Sequence, residues 1–392
     1  MTVRVAIAYN FHDHDWHGGK NYFASLFHAV HAVGPEEIEF VLVTGHKTQT
    51  LLPAEFPWVK VVRTSLLDRM SPSWLVRQFT LRKLSSDPLL AAFLGRHQID
   101  LLSHSGHLGR EAPMKTLAWL YDFQFMHFPE YWQAKHVRWS EQRYRDACRY
   151  CDGVIVSSHD ALNDLHAFEP SCRAAAHVLQ FVSNPVRVND LPSKQDVLAK
   201  YELPDLYFHL PNQFWTNKNH RLVIDALALL KGRNICVNVV CTGRPADGRR
   251  PDYFDELMEY CTKSGVQDSF RVLGIIPYRD TQALMRYAAA VVNPSRFEGW
   301  STTVEEAKTL HKRLLLSNIK VHLEQAPARG RFFSPDSPSE LAKELEECLH
   351  VSEAPVDQAI IDADYKKRLV NFGAAYVSMV RSTLSDTAGH HR

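Results

Sequence analysis

The chain has 392 residues, with 45 lysines and arginines against 44 aspartates and glutamates, and is 45% hydrophobic and 23% charged. This length predicts two or three domains and this composition an ordinary globular protein. The even charge balance excludes a global drive toward nucleic acid or an anionic membrane, and no apolar run reaches the roughly 18 residues a membrane-spanning helix requires.

Met1-Thr2-Val3-Arg4 leads straight into a predicted strand, without an apolar stretch of signal-peptide length, and the seven cysteines are scattered. Both features predict a reduced, cytoplasmic setting. Cys148 and Cys151 have C-x-x-C spacing, but no second pair accompanies them, so they read as half-buried thiols of one helix face rather than metal ligands.

Along the chain, short apolar runs alternate with amphipathic periodicity. Strands are predicted at 3–9, 39–44, 101–104, 116–120, 153–157 and 178–182, then at 207–211, 236–242, 270–273, 290–293 and 314–317. Helices are predicted at 22–32, 142–151, 220–231, 253–264 and 281–289. Eleven strands are too many for one small sheet, so the pattern predicts an α/β protein of two Rossmann-like parallel-sheet domains. Pro185, Asp190, Pro192, Ser193 and Pro204 interrupt the periodicity and mark the seam. The predicted division is 1–184, a linker over 185–204, a second domain over 205–363, and a closing helix over 364–385. Ligands of such sheets bind beyond the carboxyl ends of strands, so two facing sheets would place them in an interdomain cleft.

The loops after strands hold the candidate residues. After the first strand, Gly18 and Gly19 precede a helix and permit close backbone approach to a ligand, although they do not form G-x-G-x-x-G. His12, His14 and His17 in the same loop match no metal motif, and the D-x-D there, Asp13-His14-Asp15, precedes the glycines and is not suitably placed, so no metal is predicted. Residues 66–84 mix Arg69, Arg77, Arg82 and Lys83 with Leu66, Leu67, Met70, Trp74, Leu75, Val76, Phe79 and Leu81. Such a segment lies on a membrane surface or packs its apolar face on the sheet with the basic face solvated, and the packed arrangement is preferred. The turn Ser103-His104-Ser105-Gly106-His107 is a weaker candidate. The aromatic stretch 117–131 offers Asp122, Gln124 and His127 as polar contacts, though core packing explains its aromatics as well.

In the second half, Leu210-Pro211-Asn212-Gln213 leads to Lys218 just before a helix, where a lysine reaches a phosphate as a mobile point charge. Gly243 ends the next strand, and Ile276 follows another, with backbone groups suited to a planar base. Last comes Glu298-Gly299-Trp300-Ser301-Thr302-Thr303 with Glu306 eight residues after Glu298. A strand, a glycine turn and a helix start form an anion cradle. Carboxylates on either side of it would grip hydroxyls, which fits a nucleoside-diphosphate sugar.

The order of these elements and the E-x7-E spacing inside Phe297-Glu298-Gly299-Trp300-Ser301-Thr302-Thr303-Val304-Glu305-Glu306 resemble the retaining GT-B glycosyltransferases of family GT4, over nearly the whole chain. The resemblance implies two Rossmann-like domains facing a cleft, the first on the acceptor side and the second binding the nucleotide sugar, with the last helix crossing back. It implies that Glu298 touches the transferred sugar, Glu306 holds the ribose, and the N–H groups of Trp300, Ser301, Thr302 and Thr303 meet the diphosphate. Lys218 would neutralise that diphosphate, Gly18 and Gly19 would lie beside it, and His127 would stand near the reacting sugar. Asp122 and Gln124 would face the acceptor. Asn212 and Gln213 stand where the family commonly has an arginine, and the family's histidine–aspartate pair is replaced by 121–131.

The function this implies is sugar transfer with retained configuration, without a cofactor or metal. The acceptor would be a glycan or lipid-linked glycan of surface polysaccharide assembly, with no nucleic-acid partner and peripheral membrane contact through 66–84. A nucleotide-sugar epimerase on the same architecture and a non-catalytic sugar-nucleotide binding protein are the alternatives.

Overall fold

The computed structural model describes residues 2–10, 17–183, 190–351 and 357–385. The chain divides into two compact units, the first drawn from 1–125, 134–184 and 366–392, the second from 126–133 and 185–365.

In the first unit the strands are β1 (Val3–Tyr9), β2 (Ile38–Thr44), β3 (Lys60–Arg63), β4 (Leu101–Ser103), β5 (Lys115–Trp119), β6 (Gly153–Val156) and β7 (Ala175–Val178). The helices are α1 (His17–Val33), α2 (Leu52–Glu55), α3 (Pro72–Leu84), α4 (Pro88–Arg96), α5 (Gln124–His127), α6 (Ala134–Tyr150) and α7 (His159–Phe168), with α5 running across the 125/126 boundary. The strands form one parallel sheet in the order β3-β2-β1-β4-β5-β6-β7.

The second unit runs α8 (Lys194–Lys200), β8 (Phe208–Leu210), α9 (His220–Gly232), β9 (Val239–Thr242), α10 (Tyr253–Lys263), β10 (Phe270–Gly274) and α11 (Tyr278–Tyr287). It continues β11 (Val291–Asn293), α12 (Thr302–Thr309), β12 (Leu314–Ser317), α13 (Lys320–Gln325), β13 (Gly330–Phe333) and α14 (Pro338–Leu349), before α15 (Gln358–Ser385) carries the chain into the first unit. Its parallel sheet has the order β10-β9-β8-β11-β12-β13. Each sheet is thus doubly wound, with strand order reversing between β1 and β4 in one and between β8 and β11 in the other. At such switch points neighbouring loops part and leave room for a ligand.

The central strands are apolar and buried at nearly every position, as expected where helices cover both faces of a parallel sheet. In the second unit Phe208, Leu210, Val223, Leu227, Val239, Val292 and Leu315 pack into one core. In the first unit α15 contributes Leu369, Phe372, Tyr376 and Val380 at helical spacing, all buried. A Cβ on its Gly373 would lie 2.2 Å from the Ala29 carbonyl oxygen, so glycine is what lets α15 and α1 approach.

Several sequence expectations need correction. The strand predicted at 178–182 is β7, three residues earlier, and β3 and β13 were not predicted at all. The stretch 185–204 is not wholly a linker, because α8 puts Val197 and Leu198 into a cluster with Tyr207, Ala283 and Leu284. Residues 126–133, predicted within the first domain, group with the second unit. Of the apolar residues of 66–84, Leu67 packs against the sheet with Val41, Val43 and Leu102, but most of the rest do not. Helix α3 buries none of its residues, and Met70, Leu75, Val76, Phe79 and Leu84 are exposed. Arg77 anchors the helix through an ion pair with the fully buried Asp87, which fixes that face inward.

Candidate active site

The loops after β8 and β11, on either side of the second switch point, are stitched together by side-chain amides. Asn293, fully buried at the end of β11, is the hub. Its Oδ1 accepts from Asn212 Nδ2 at 2.9 Å and from Ser295 Oγ at 2.7 Å, and its Nδ2 donates to Ser301 Oγ at 2.9 Å. Ser301 Oγ in turn accepts from Val304 N–H at 3.4 Å and so caps α12. Asn219 adopts a left-handed conformation (φ 58°) that asparagine tolerates, and its Nδ2 ties the loop to Pro294 O at 3.1 Å and Pro335 O at 2.9 Å.

This frame holds one buried ion pair. Lys218 Nζ donates to Glu298 Oε1 at 2.6 Å, with the two side chains 13% and 9% exposed. Ser295 Oγ also lies 2.7 Å from the same carboxylate oxygen, so its single proton is shared between Glu298 and Asn293 Oδ1. Burial pushes the Glu298 pKa up, but Lys218 and the hydroxyl of Ser295 outweigh it and hold the carboxyl below its ordinary range. A buried pair of this kind stabilises little in itself and leaves each charge dependent on the other. A ligand that supplies other partners to both releases the pair without leaving a bare charge behind.

Beside the pair, α12 begins. Thr302 and Thr303 open its first turn, where N–H groups have no intrahelical acceptor and the helix dipole is positive. Thr303 Oγ1 donates to Asn212 Oδ1 at 3.1 Å. The expectation that the Ser301 N–H is also open is corrected, because Gln325 Oε1 accepts from it at 3.2 Å. Gln325 Nε2 returns the contact to Ser301 O at 3.0 Å and donates to Glu305 at 3.0 Å. Trp300 is 9% exposed and Gly299 half-buried.

Glu306 lies one turn along α12, 6% exposed, and accepts from the Tyr278 hydroxyl at 2.8 Å. Tyr278 starts α11, directly after Ile275-Ile276-Pro277, so the loop after β10 and Glu306 meet. Ile276 packs into the core while Ile275 is 65% exposed. Gly243 has φ 137°, and a Cβ there would fall 2.4 Å from Asn212 O, so the loops after β8 and β9 touch through backbone alone. Gln213 Oε1 accepts from Arg244 N–H at 2.7 Å, which gives it a structural task at the position where the resemblance expects an arginine.

His127 reaches the same turn within the second unit. Its ring lies 5.2 Å from that of Phe297, the residue before Glu298. Arg249 sits over Trp132 and Trp215 at 5.1 and 5.2 Å, pairs with Asp247 at 2.9 Å, and donates to Asn217 Oδ1 at 3.2 Å in the loop that bears Lys218. Asp122 and Gln124 belong to the first unit. There the Asp122 carboxylate accepts from the Gln124 N–H at 3.1 Å, and Gln124 is buried. Gly18 and Gly19 also belong to the first unit and form part of the first turn of α1 rather than a loop before it.

The structure adds residues that motif reading passed over. His322 on α13 is fully buried, its Nδ1 lies 2.9 Å from Ser317 O, and its Nε2 has no partner. Burial lowers its pKa to about 4, so it is neutral at pH 7 within electrostatic reach of Glu298 and Lys218. Asn293, Ser295, Gln325 and Tyr278 are likewise new, and only their contacts reveal them. Among the described residues no cluster of three His, Cys, Asp or Glu side chains is arranged to hold a metal, while His12 and His14 lie outside the described residues and so does the Asp13–Asp15 motif. No described helix is long and apolar enough to cross a membrane.

Residues 195–366 match the family described as glycosyl transferases group 1. No curated protein matches the chain significantly. Among solved structures, a glycosyltransferase from Rickettsia africae superposes with a TM-score of 0.66 at 12% identity, covering 98% of this chain and 100% of that one. HepE from Anabaena, in complex with UDP and glucose, gives 0.64 at 15% identity over 98% and 100%. Sucrose-phosphate synthase from Thermosynechococcus elongatus gives 0.62 at 15% identity over 98% and 96%.

Proposed function

We propose that the chain moves a sugar from a nucleoside diphosphate to a hydroxyl acceptor with retained configuration, because residues 195–366 match the glycosyl transferases of group 1 and the whole chain shares the GT-B fold of solved glycosyltransferases. The observation that carries this reading is the Lys218–Glu298 pair at 2.6 Å, set against the start of α12 with Glu306 further along the same helix. The diphosphate takes Lys218 and the first-turn N–H groups of α12. Glu298, freed from Lys218, turns to the hydroxyls of the sugar, and Glu306 with Tyr278 takes those of the ribose.

In the reaction the acceptor oxygen attacks the anomeric carbon from the side the diphosphate leaves. The carbon–oxygen bond to the diphosphate breaks, its electron pair goes to the leaving phosphate oxygen, and the acceptor proton follows. Lys218 and the helix dipole stabilise the charge that develops there. This reading assigns leaving-group stabilisation to the chain's own groups rather than to a metal, so activity should persist in EDTA. His127, beside Phe297, fits a contact to the reacting sugar.

The reading extends to place and partner. Leu75, Val76, Phe79, Arg82 and Lys83 share one exposed face of α3, and the helix carries no acidic residue. Apolar side chains flanked by cations suit an anionic lipid surface, where each basic residue contributes about 1 kcal/mol. A cytoplasmic enzyme peripheral to that surface would meet a lipid-linked glycan acceptor. Sedimentation with anionic vesicles, lost in Phe79→Asp and absent with zwitterionic vesicles, tests the contact.

The experiment for the main reading is a panel of nucleotide sugars, beginning with UDP-sugars, scored by thermal stabilisation. One donor should stabilise the wild-type protein and fail to stabilise Glu298→Gln to the same extent. Equal stabilisation of both proteins by every donor sinks the assignment of Glu298.

A further inference from the structure

A cavity of about 150 Å³ opens in the first unit, lined by Arg110, Arg145, Cys148, Arg149, Glu169 and Ser171 together with Arg173. It lies at the amino ends of β5, β6 and β7. Arg110 is in the loop leading to β5, Arg145 and Arg149 are on the last turns of α6 before β6, and Glu169 to Arg173 lead into β7. This is the opposite edge of the sheet from the loops at the carboxyl ends where α/β sheets bind their principal ligands. The proposed donor chemistry belongs to the other unit and does not use it.

Its charge is unbalanced. Four guanidinium groups line it against one carboxylate. Glu169 is itself engaged, accepting from Arg145 at 3.4 Å and from the Ser171 hydroxyl. Arg145 also stacks on Phe168 at 4.6 Å, and Arg110 lies over Tyr150 at 5.7 Å. Arg149 complements the dipole at the end of α6, and Arg145 pairs with Glu169. That does not account for Arg110 and Arg173, which arrive from two separate loops. The backbone fixes this convergence, because the N–H groups of Arg173 and Ala174 both donate to Cys148 O, at 3.1 and 3.2 Å. All four arginines are exposed, so together they present a positive rim to an anion arriving from solvent.

We propose that this cavity binds a phosphoryl group. Guanidinium forks match phosphate oxygens in geometry and charge, and a phosphate monoester carries about two negative charges at neutral pH. The size decides against a larger ligand, since clefts for nucleotides and similar molecules run to roughly 300–1,000 Å³. One phosphate with its ester oxygen fits, and its bearer is either a soluble sugar or polyol phosphate or a lipid headgroup at a membrane surface.

The test uses the full chain. Orthophosphate and glycerol 3-phosphate are titrated at constant ionic strength, with melting temperature as the readout. Saturable stabilisation is expected in the wild type and in Lys218→Ala, which separates this site from the donor cradle. In Arg149→Ala/Arg173→Ala the apparent affinity should fall by about tenfold or more. The charge-keeping pair Arg149→Lys/Arg173→Lys should retain part of the response. For the lipid source, phosphatidate vesicles are offered to Phe79→Asp protein, so that α3 does not contribute. Vesicle binding that disappears on adding the two arginine substitutions assigns a headgroup, and a response to the soluble phosphates alone assigns a free metabolite. An identical phosphate response in the wild type and the Arg149→Ala/Arg173→Ala protein, or no saturable response to any of these probes, overturns the proposal.

Discussion

The two units share one architecture and fill the carboxyl ends of their central strands in opposite ways. In the second unit those ends are polar. Asn212, Asn293, Ser295, Ser301 and Gln325 form a buried hydrogen-bond frame around Lys218 and Glu298. In the first unit they are aromatic. Tyr22 on α1 stacks on Trp119 at 4.2 Å, meets Phe181 edge-on at 5.1 Å, and is hydrogen-bonded to His104 Nε2 at 2.6 Å, with Phe372 of α15 at 6.4 Å. Burial pushes His104 down to about 3 and Tyr22 up, so both stay neutral. A frame of amides with an ion pair is organised for a charged ligand and costs stability to assemble. A plug of rings is organised for cohesion. At the carboxyl ends of its central strands, the same fold is therefore framed with polar groups in one unit and packed with rings in the other.

The largest effect expected from this contrast is on stability in the first unit. Trp119→Ala should cost about 3–5 kcal/mol in chemical denaturation, by emptying the centre of the ring cluster. The converse belongs to the second unit. Lys218→Ala should lower turnover by about 10²–10³-fold, the scale of losing one group that stabilises developing charge. If Trp119→Ala proved the more damaging to turnover per folded molecule, or Lys218→Ala left turnover intact, the contrast would break.

Acid should sharpen it. His209, His220 and His322 in the second unit are fully buried, with pKa values lowered by burial to about 3, 3 and 4. The unfolded chain protonates each near its ordinary value of about 6.5, so below that pH it binds more protons than the folded chain. Stability then falls as pH drops from about 6.5 toward 4, by on the order of 1 kcal/mol per pH unit for each such histidine. The lowered carboxyl of Glu298 acts in the same direction at still lower pH. The first unit has His104 and His107 under the same constraint. Hydrogen exchange at pH 5 should therefore show the second unit opening first, and His209→Gln should flatten the pH dependence of its melting.

The smallest effect expected is at Glu306. Tyr278→Phe removes one hydrogen bond to that carboxylate and should weaken donor binding by about 1 kcal/mol, seen as a raised KM with kcat little changed. A fall in kcat alone would put Tyr278 in the chemistry rather than in donor binding.

What the sequence showed and what it hid follow one physical rule. Central strands such as β2, β6, β9 and β12 are buried on both faces and announce themselves as apolar runs. The strands missed or misplaced, β3, β7 and β13, all lie at sheet edges. Their sequences, Lys-Val-Val-Arg, Ala-Ala-His-Val and Gly-Arg-Phe-Phe, carry the charge, small residues and partial exposure that edges require. In the candidate site, Glu298, Glu306 and Lys218 were legible because they recur at fixed spacing along one chain segment or beside one helix start. Asn293, Gln325, Tyr278 and His322 were not, because their roles exist only in contacts between separate elements. The apolar face of α3 was misjudged because periodicity alone does not say which side of a helix faces water.

The path of α15 has a consequence for how the protein is made. Its residues Leu369, Phe372, Tyr376 and Val380 complete the core of the first unit, although they are translated after all of the second. A nascent chain halted near residue 350 has everything the second sheet needs and lacks a wall of the first. Synthesis from the amino terminus should thus yield the later half in finished form before the earlier one, and ribosome-bound chains of increasing length, probed with protease, should record that inverted order.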